Sequence, residues 1–215
     1  EKPNGLAEAF IIGEKFIGND DVCLILGDNI FYGKTLPQLL KRSLKEVESS
    51  NYSKIFGYYV NQPERYGVIE VDRELKPISI EEKPQEPKGD HAVVGLYFYK
   101  NSILKYLDKL RLSNRKEFEI TDFNNILIKK KLITYQRIGR GFAWLDTGDP
   151  SRLLEASNFI EIIEKRQGFK VACLEEIALR QNFISKKQFI NLLKIIPDSD
   201  YKKYLKNLIW KKNVE

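Results

Sequence analysis

Hydrophobic positions near the start of the 215-residue chain recur with two different spacings, which predict different elements. Apolar residues fall at helical spacing in residues 5–17 and again in 36–50. Between these segments, the stretch 21–29 contains a run of consecutive apolar residues at 22–26, which is typical of a short strand in the middle of a sheet that is covered on both faces. The order helix, strand, helix predicts an α/β domain with parallel strands.

The middle of the chain is richer in strands. Runs rich in β-branched and aromatic residues and bounded by turn residues predict consecutive strands, some of them antiparallel, at 54–60, 66–72, 77–84 and 91–100. The pattern is helical at 101–110 and 118–131, and a further strand is predicted at 132–138.

Beyond Asp149 the pattern is helical throughout. Amphipathic segments separated by polar turns predict four helices, at 150–168, 173–183, 185–196 and 200–212. We therefore set a domain boundary near residue 150, with an α/β core at 1–150 and a helical region at 151–215.

Composition limits the class of protein. No apolar run approaches the roughly 18 to 20 residues of a membrane helix, and the first residues lack the pattern of a signal peptide, so we expect a cytoplasmic protein that does not bind membranes. The net charge is +6, but the basic residues are scattered and no nucleic-acid-binding motif is present, which favours solvated surface over a nucleic-acid partner. Cys23 and Cys173 lack metal-ligand spacing, and we expect both to be buried thiols.

Two aspartates follow apolar, strand-like runs and are candidate metal ligands. Asp28 ends "CLILGD" and Asp146 ends "FAWLD". Ligands of open α/β sheets bind outside the carboxyl ends of strands, and two carboxylates that converge there would repel one another without a cation. Asp28 alone could equally cap a turn. The pair favours Mg²⁺, because oxygen ligands are available while the chain has neither a histidine cluster nor paired cysteines.

Charged residues near the end of another predicted strand are candidates for ligand binding. Glu82 and Lys83 would point to opposite faces of a regular strand, but the irregularity that Pro84 imposes could bring both to a ligand. Gly67 would permit close approach of a ligand, or is a simple bend. Arg115 precedes acidic residues that helix capping explains as well as substrate contact does. Exposed surface charge is the alternative for Glu82 and Lys83.

Segments spread along the chain resemble, in order and spacing, the glucose-1-phosphate thymidylyltransferases. They are "PNGLAEAF", "LGDNIFYG", "PERYGVIE", "ISIEEKP", "VVGLYFY", "FEITDFN", "GRGFAWLDTG" and "EKRQGFKVACLEEIA". Two of these elements, LGDN and Glu-Lys-Pro, occur in sugar nucleotidyltransferases in general. In contrast, "RQGFKVACLEEIA" is particular to the short thymidylyltransferases. The resemblance covers nearly the whole chain and becomes less distinctive from about Phe183.

The resemblance implies a fold and an activity. The fold would be a Rossmann-like nucleotidyltransferase three-layer sandwich with a mixed sheet, here without its N-terminal strands, followed by a C-terminal helical appendage used in assembly and regulation. The activity would be the Mg²⁺-dependent formation of dTDP-glucose and pyrophosphate from dTTP and glucose 1-phosphate. It would serve dTDP-rhamnose biosynthesis in a cytoplasmic homotetramer that dTDP-rhamnose inhibits.

The resemblance also implies roles for individual residues. Asp28 and Asp146 resemble the family's Mg²⁺-binding pair. The other positions are best grouped by the ligand they would contact: Gly5 for the thymine base; Gly67, Glu82, Val94 and Tyr97 for the sugar; Lys83 and Arg115, as the catalytic cations, for the sugar phosphate; and Gly33, Arg140 and Glu176 for a second, allosteric nucleotide site.

One family element has no counterpart in this sequence. The glycine-rich G-G-x-G-T-R-L loop, whose backbone N–H groups would cradle the triphosphate, is absent from the 215 residues. The chain also contains no methionine and begins with Glu1, so we expect the natural protein to begin upstream. These observations predict little or no turnover by the 215 residues alone.

Two other functions are compatible with the same motifs. A nucleotide-sugar glycosyltransferase also places an acidic metal motif at a strand end, although it typically carries a D-x-D pair, which this chain lacks. A regulatory or assembly paralogue would bind dTDP-sugars through Arg140 without catalysis. Intact Asp28, Glu82, Lys83 and Asp146 favour the enzyme.

Overall fold

The computed structural model describes residues 4–210, and its first part is built on strands that alternate with short helices. In chain order the helices of this part are α1 (Glu8–Ile12), α2 (Glu14–Ile17), α3 (Leu36–Glu48) and α4 (Ile120–Lys129), with 3₁₀ helices at Pro63–Arg65 and Asn101–Lys109. The strands are β1 (Val22–Ile25), β2 (Asn29–Tyr32), β3 (Ser53–Tyr59), β4 (Gly67–Val71), β5 (Pro77–Glu82), β6 (His91–Tyr99), β7 (Ile133–Ile138) and β8 (Ala143–Asp146).

Six of these strands form one mixed sheet. The order is β5-β4-β6-β3-β7, and β1 pairs antiparallel with β6. Strand β3 pairs in parallel with β7 and antiparallel with β6. The predicted mixed sheet is thus confirmed, with β3 and β7 as a parallel pair and β1 antiparallel to its neighbour β6.

Strand β1 lies at an edge of the sheet within the described residues. Val22 and Leu24 are half-buried against the core, whereas Cys23 and Ile25 are exposed, Ile25 to 57%. The prediction that Cys23 is a buried thiol is therefore wrong. An apolar run does not distinguish a strand covered on both faces from one with a single covered face, since this is decided by what packs on each face in the folded protein.

The sheet is covered on both faces, which gives three layers. Alternate residues of β6 point to opposite sides: Tyr99 packs edge-to-face on Phe10 of α1, at 5.4 Å between ring centroids. Phe98 packs in the same way on Phe56, also at 5.4 Å, in the core that includes Val47 of α3. Helix α4 adds its apolar face to the first of these cores.

A separate two-stranded ribbon joins the segments that carry the two candidate aspartates. Strands β2 and β8 pair antiparallel, with Asn29 opposite Asp146. Thr147 donates its backbone N–H to the carbonyl of Asp28 at 2.8 Å, and its hydroxyl donates to the same carbonyl at 3.0 Å. This pairing brings residues 28 and 146 to the same end of the ribbon.

The described residues divide into two compact units between Leu153 and Leu154. Helix α5 (Pro150–Gln167) crosses the division, and the second unit continues with α6 (Leu174–Arg180), α7 (Lys186–Ile195) and α8 (Asp200–Trp210). Cys173, Phe189, Leu193 and Leu205 form its core, so Cys173 is buried as predicted. The last two positions of the predicted helix 200–212 lie outside the described residues.

None of the helices at residues 4–210 combines the length and the apolar character that crossing a membrane requires.

Candidate functional site

A cavity of about 790 Å³ in the first unit contains most of the residues predicted to bind ligands. Its lining includes Asp28, Gly67, Glu82, Lys83, Tyr97, Arg115 and Asp146. These residues come from four strands and three loops, and they are spread over the chain from position 28 to position 146. We describe them as two groups: the aspartate cluster (Asp28, Asp146, Asp149 and Arg152) and the glutamate cluster (Glu82, Arg115, Glu117 and Glu119).

The two aspartates predicted to bind metal converge on one point. A Cβ atom added to Gly148 would lie 3.0 Å from Oδ1 of Asp146 and 3.8 Å from Oδ2 of Asp28. The backbone N–H of Gly148 donates to the same Oδ1 of Asp146, at 2.9 Å. Within the described residues, Oδ2 of Asp28 accepts no hydrogen bond, so it is available to a ligand.

Asn29 fixes the loop that presents Asp28. Its side-chain carbonyl accepts from the backbone N–H of Gly95 at 3.0 Å and from the indole of Trp144 at 2.7 Å, and its amide donates to Asp28 at 2.8 Å. Gly95 is essential to this contact, because a Cβ there would lie 2.6 Å from the side chain of Leu26 and 2.8 Å from that of Asn29. The close approach of loop and strand therefore depends on the missing side chain of Gly95.

Arg152 provides a positive charge beside these carboxylates. Its Nη1 donates to Oδ2 of Asp146, and its Nε lies 3.1 Å from Oδ2 of Asp149. The guanidinium also lies over the ring of Tyr66, with Cζ 5.1 Å from the ring centroid. Arg65 contacts the same Oδ2 of Asp149, at 3.4 Å from its Nη2.

The aspartate cluster fits a divalent cation that is shared with a ligand. Asp28 and Asp146 are oxygen donors directed at one point, as hard cations require. No group of three or more His, Cys, Asp or Glu side chains suited to holding a metal occurs at residues 4–210. Two carboxylates suit Mg²⁺ that completes its shell with water and phosphate oxygens, rather than a metal held by protein alone.

Glu82 is held between a neighbouring strand and helix α4. The hydroxyl of Thr121 donates to its Oε2 at 2.9 Å. Gly67 is opposite Glu82 in the β4–β5 register, and a Cβ on Gly67 would lie 3.1 Å from the same Oε2. These contacts leave Oε1 of Glu82 directed away from Thr121, 4.0 Å from Arg115.

The backbone leaves regular strand geometry where the sequence predicted an irregularity. Lys83 has a φ of +47°, in the left-handed region, and its N–H donates to the carbonyl of Tyr66 at 2.9 Å. Glu82 and Lys83 therefore both line the cavity although they are adjacent. A left-handed lysine directly before a proline is an unusual conformation that is kept where the surroundings impose it.

Arg115 is paired with carboxylates of its own cluster. Its Nε and Nη2 form a two-pronged contact with Glu119, at 3.0 and 2.8 Å, and Glu82 and Glu117 each lie 4.0 Å away. The hydrogen bonds to Glu119 are the main cause of a raised pKa of the Arg115 guanidinium. About half of the side chain is exposed, at 48%.

Two phenols of the cavity lie near these charges: Tyr97 is buried and lies near residues of both clusters, whereas Tyr66 is half-buried and lies beside the aspartate cluster. Burial raises the pKa of Tyr97 far above its ordinary value, and the charges of Glu82 and Asp28 raise it further. Burial likewise raises the pKa of Tyr66, where Arg152 opposes the effect and Asp146 adds to it. Both residues are therefore neutral hydroxyl groups at physiological pH.

Gly5 and Val94 do not line the cavity through side chains. Gly5 has a φ of +105°, and a Cβ there would lie 2.7 Å from the backbone N and O of Phe118. The Val94 side chain is buried in the core with Phe56, on the opposite face of the sheet. A contact from the backbone of Val94, which lies between the cavity-lining Val93 and Gly95, stays a prediction, as does a base contact from Gly5.

The residues predicted to form an allosteric site occur in both units. Arg140 lines a second cavity, of about 570 Å³, with Arg137 and Tyr59. Gly33 packs against the ring of Phe142. Glu176 belongs to the second unit, where it pairs with Arg180 at 2.8 Å. A shared nucleotide site of these three residues stays a prediction.

Sequence reasoning missed several residues that shape the cavity. The sequence pattern places Arg152 in the amphipathic helix predicted at 150–168, Asp149 directly before that helix, and Thr121 in the helix predicted at 118–131. Asn29 was quoted only as the neighbour of Asp28. A usable signal existed for Asn29, because a polar side chain directly after a strand-end aspartate can anchor the loop, whereas an arginine in the first turn of a helix gives no such signal.

Comparison with known proteins agrees with this geometry. The family model "Nucleotidyl transferase" matches residues 1–162. Glucose-1-phosphate thymidylyltransferase of Neisseria gonorrhoeae is 47% identical over 97% of this chain and 72% of its own length. The enzyme of the same name from Mycobacterium tuberculosis is 42% identical over 97% of this chain and 71% of its own length.

Two solved structures are also similar to this chain. A Bacillus anthracis structure assigned as a glucose-1-phosphate thymidylyltransferase, in complex with sucrose, has a TM-score of 0.64 and 36% identity. A UDP-glucose pyrophosphorylase in complex with UDP-glucose has a TM-score of 0.65 and 27% identity. The alignments cover 74% and 73% of this chain and 62% of each of those chains, so this chain spans less than two thirds of their length. On these matches, the chain belongs to the glucose-1-phosphate thymidylyltransferases of the nucleotidyl transferase family.

Proposed function

We propose that the protein transfers a deoxythymidylyl group from dTTP to glucose 1-phosphate, giving dTDP-glucose and pyrophosphate. The observation that carries this proposal is the convergence of Asp28 and Asp146 in the cavity that also contains Glu82, Lys83 and Arg115. Family membership supports the reaction type, and the named thymidylyltransferases among its relatives support dTTP as the nucleotide.

In the proposed reaction, an oxygen of the sugar phosphate forms a bond to the α-phosphorus of dTTP while the bond to pyrophosphate breaks. The attacking oxygen is already anionic, so no general base is needed. Lys83 and Arg115 hold the sugar phosphate in line with the α-phosphorus. Glu82 accepts hydrogen bonds from sugar hydroxyls through Oε1, because Thr121 already donates to Oε2.

Asp28 and Asp146 are the residues that would hold Mg²⁺. When bound, the ion would neutralise negative charge on the nucleotide phosphates. Asn29 contributes by fixing the Asp28 carboxylate, and Gly148 by donating its N–H to Asp146. Tyr97, kept neutral by burial, offers a hydroxyl rather than a third negative charge to the cavity.

Regulation and assembly are further parts of the proposal. dTDP-rhamnose would bind through Arg140, with Gly33 and Glu176, and the protein would be a cytoplasmic homotetramer. Calorimetry with dTDP-rhamnose on the wild type and on Arg140→Met tests the first point, and sedimentation velocity tests the second. An unchanged affinity in Arg140→Met would remove Arg140 from the inhibitor site.

The test of the main activity pairs turnover with binding, because low turnover by the 215 residues alone stays a prediction. Pyrophosphate release is measured with dTTP, Mg²⁺ and glucose 1-phosphate, with UTP as the competing nucleotide. Calorimetry measures binding of glucose 1-phosphate and of dTDP-glucose. We expect the wild type to bind both glucose 1-phosphate and dTDP-glucose, and Glu82→Ala to lose this binding. A wild-type chain that neither binds these two ligands nor releases pyrophosphate contradicts the proposal.

A further inference from the structure

An arginine with no part in the proposed reaction forms a hydrogen-bonded ion pair with one of the two aspartates that would hold the metal. Arg152 donates from Nη1 to Oδ2 of Asp146, and each of these side chains is only 17% exposed. Oδ1 of Asp146 accepts the N–H of Gly148. Both oxygens of Asp146 are therefore engaged by the chain itself.

Arg152 has a second set of contacts, from its backbone and its guanidinium, that does not involve Asp146. Asp149 accepts the backbone N–H of Arg152 at 3.0 Å through Oδ1 and lies 3.1 Å from Nε through Oδ2. The ring of Tyr66 lies beneath the guanidinium, 5.1 Å from Cζ to the centroid. Arg152 can thus give up Asp146 and keep a carboxylate partner and a cation–π contact.

The same carboxylate oxygen cannot serve both partners fully. A small divalent cation needs a carboxylate lone pair directed at it at close range, about 2.0–2.1 Å for Mg²⁺. Oδ2 of Asp146 is directed at Arg152, in a site where low exposure limits screening by water and salt. A cation that binds Oδ2 must displace Arg152, and one that binds the remaining lone pair of Oδ1, the oxygen nearer to Asp28, lies beside the positive charge of the guanidinium.

We propose that Arg152 is a positioning residue that holds the Asp146 carboxylate in place and competes with the divalent cation for it. The cation then binds tightly only together with nucleotide phosphates, which supply oxygen ligands and also attract the released guanidinium. This inference rests on the proposed metal role of Asp146. It adds a device that couples cation binding to nucleotide binding.

The test measures Mn²⁺ affinity of the chain by the loss of the free-ion electron paramagnetic resonance signal, at fixed ionic strength and without nucleotide. Arg152→Met removes the guanidinium and keeps the apolar stem over Tyr66. Arg65→Met is the matched control, because Arg65 lines the same cavity and contacts Asp149 at 3.4 Å, a carboxylate outside the proposed metal pair. We expect Arg152→Met to bind Mn²⁺ at least tenfold more tightly than the wild type and Arg65→Met to change Mn²⁺ affinity by less than threefold. Saturating dTDP-glucose, whose diphosphate is the nucleotide probe here, should narrow the difference between Arg152→Met and the wild type.

Three results would overturn the proposal: equal tightening in both methionine variants, which would indicate net charge alone; no tightening in Arg152→Met; or a difference between Arg152→Met and the wild type that saturating dTDP-glucose leaves unchanged. Arg152→Lys keeps the charge but cannot contact Asp146 and Asp149 at once, so its Mn²⁺ affinity is expected to be intermediate. It replaces the methionine variant should circular dichroism show that variant unfolded. Failure of the transferase proposal is read separately, from pyrophosphate release, which does not enter the Mn²⁺ comparison.

Discussion

The two charged groups of the cavity use an arginine in contrasting ways. Arg152 is 17% exposed, contacts Asp146 and Asp149, and has an aromatic ring beneath it. Arg115 is 48% exposed and contacts Glu119, with two further carboxylates at 4.0 Å. Because its guanidinium is more exposed, Arg115 can exchange a carboxylate for a phosphate at lower cost than Arg152, whose contact with Asp146 is shielded on both sides until a stronger partner arrives. We infer that the glutamate cluster is ready to receive an anion and that the aspartate cluster must first be opened by a cation.

The largest expected effect is at the aspartate cluster. Asp28→Asn removes one of the two carboxylate charges at the proposed metal site while keeping the shape of the side chain. Turnover should fall by about two orders of magnitude or more, the usual size of losing electrostatic stabilisation at a reacting phosphate. In any form of the protein that turns over measurably, pyrophosphate release measures this loss. In a chain without turnover, a Mn²⁺ titration measures the corresponding loss of metal affinity.

Asp20→Asn is the matched control for that substitution. It makes the same change of charge at the other end of β1, outside the cavity lining. We expect its Mn²⁺ affinity and thermal unfolding temperature to match the wild type. Equal losses in both variants would show that Asp28 has no special role.

The next effect concerns sugar binding. Glu82→Gln keeps the contact with Thr121 possible but removes the charge that strengthens hydrogen bonds from sugar hydroxyls. A hydrogen bond to a charged group is worth about 1.5–3 kcal/mol, so glucose 1-phosphate affinity should fall by roughly 10- to 100-fold. Glu81→Gln is the control, since Glu81 precedes it on β5 but is exposed outside the cavity. Equal affinities in the two variants, measured by calorimetry, would contradict a role for Glu82.

A smaller effect tests how the glutamate cluster is positioned. Gly5→Ala would force a Cβ to within 2.7 Å of the Phe118 backbone, next to the segment that carries Glu117 and Glu119. Gly18→Ala is the control, because Gly18 also has a positive φ, +54°, but has open space around it. Backbone strain alone costs roughly 1–3 kcal/mol, and Gly5→Ala should exceed Gly18→Ala by about 1 kcal/mol or more in the free energy of unfolding, measured in urea.

Such a displacement should also act on one cluster more than on the other. In Gly5→Ala, glucose 1-phosphate affinity should fall while Mn²⁺ affinity is kept, since Asp28 and Asp146 are held by Asn29 and Gly148 instead. Equal stability of the two alanine variants would show that the chain relaxes around residue 5.

Local patterns predicted the elements and the strand-end aspartates well, because the signal for each lies within a few residues. The amphipathic spacing at 36–50 corresponds to α3 (Leu36–Glu48), and the apolar runs before Asp28 and Asp146 correspond to β1 and β8. The edge position of β1 could not be predicted, because the same run of apolar residues suits a strand with one or two neighbours. Pairing with β6 is a long-range property that the run itself does not contain.

The contacts of Arg152 escaped prediction for a related reason. An arginine in "DPSRLLEA" is an ordinary exposed helix residue by any local criterion. Its contact with Asp146 arises because the turn at Thr147–Asp149 leads β8 directly into α5, so that the first turn of the helix lies beside the end of the strand. Candidate ligands can thus be found from sequence, whereas the groups that compete for them require the three-dimensional arrangement.

The smallest expected effect separates the two arginines by salt. Arg115→Met should weaken glucose 1-phosphate binding by about 3- to 10-fold at 50 mM salt, because an exposed cation contributes a modest, screened attraction. At 0.5 M salt this difference should shrink to less than about twofold, whereas the Mn²⁺ difference between wild type and Arg152→Met should persist, since Arg152 and Asp146 are largely shielded from solvent. Calorimetry and the Mn²⁺ titration at both salt concentrations provide the measurement. If salt reduced the effects of Arg115→Met and Arg152→Met on ligand affinity equally, solvent exposure would not explain the difference between the two arginines. Their different carboxylate partners would then have to explain it.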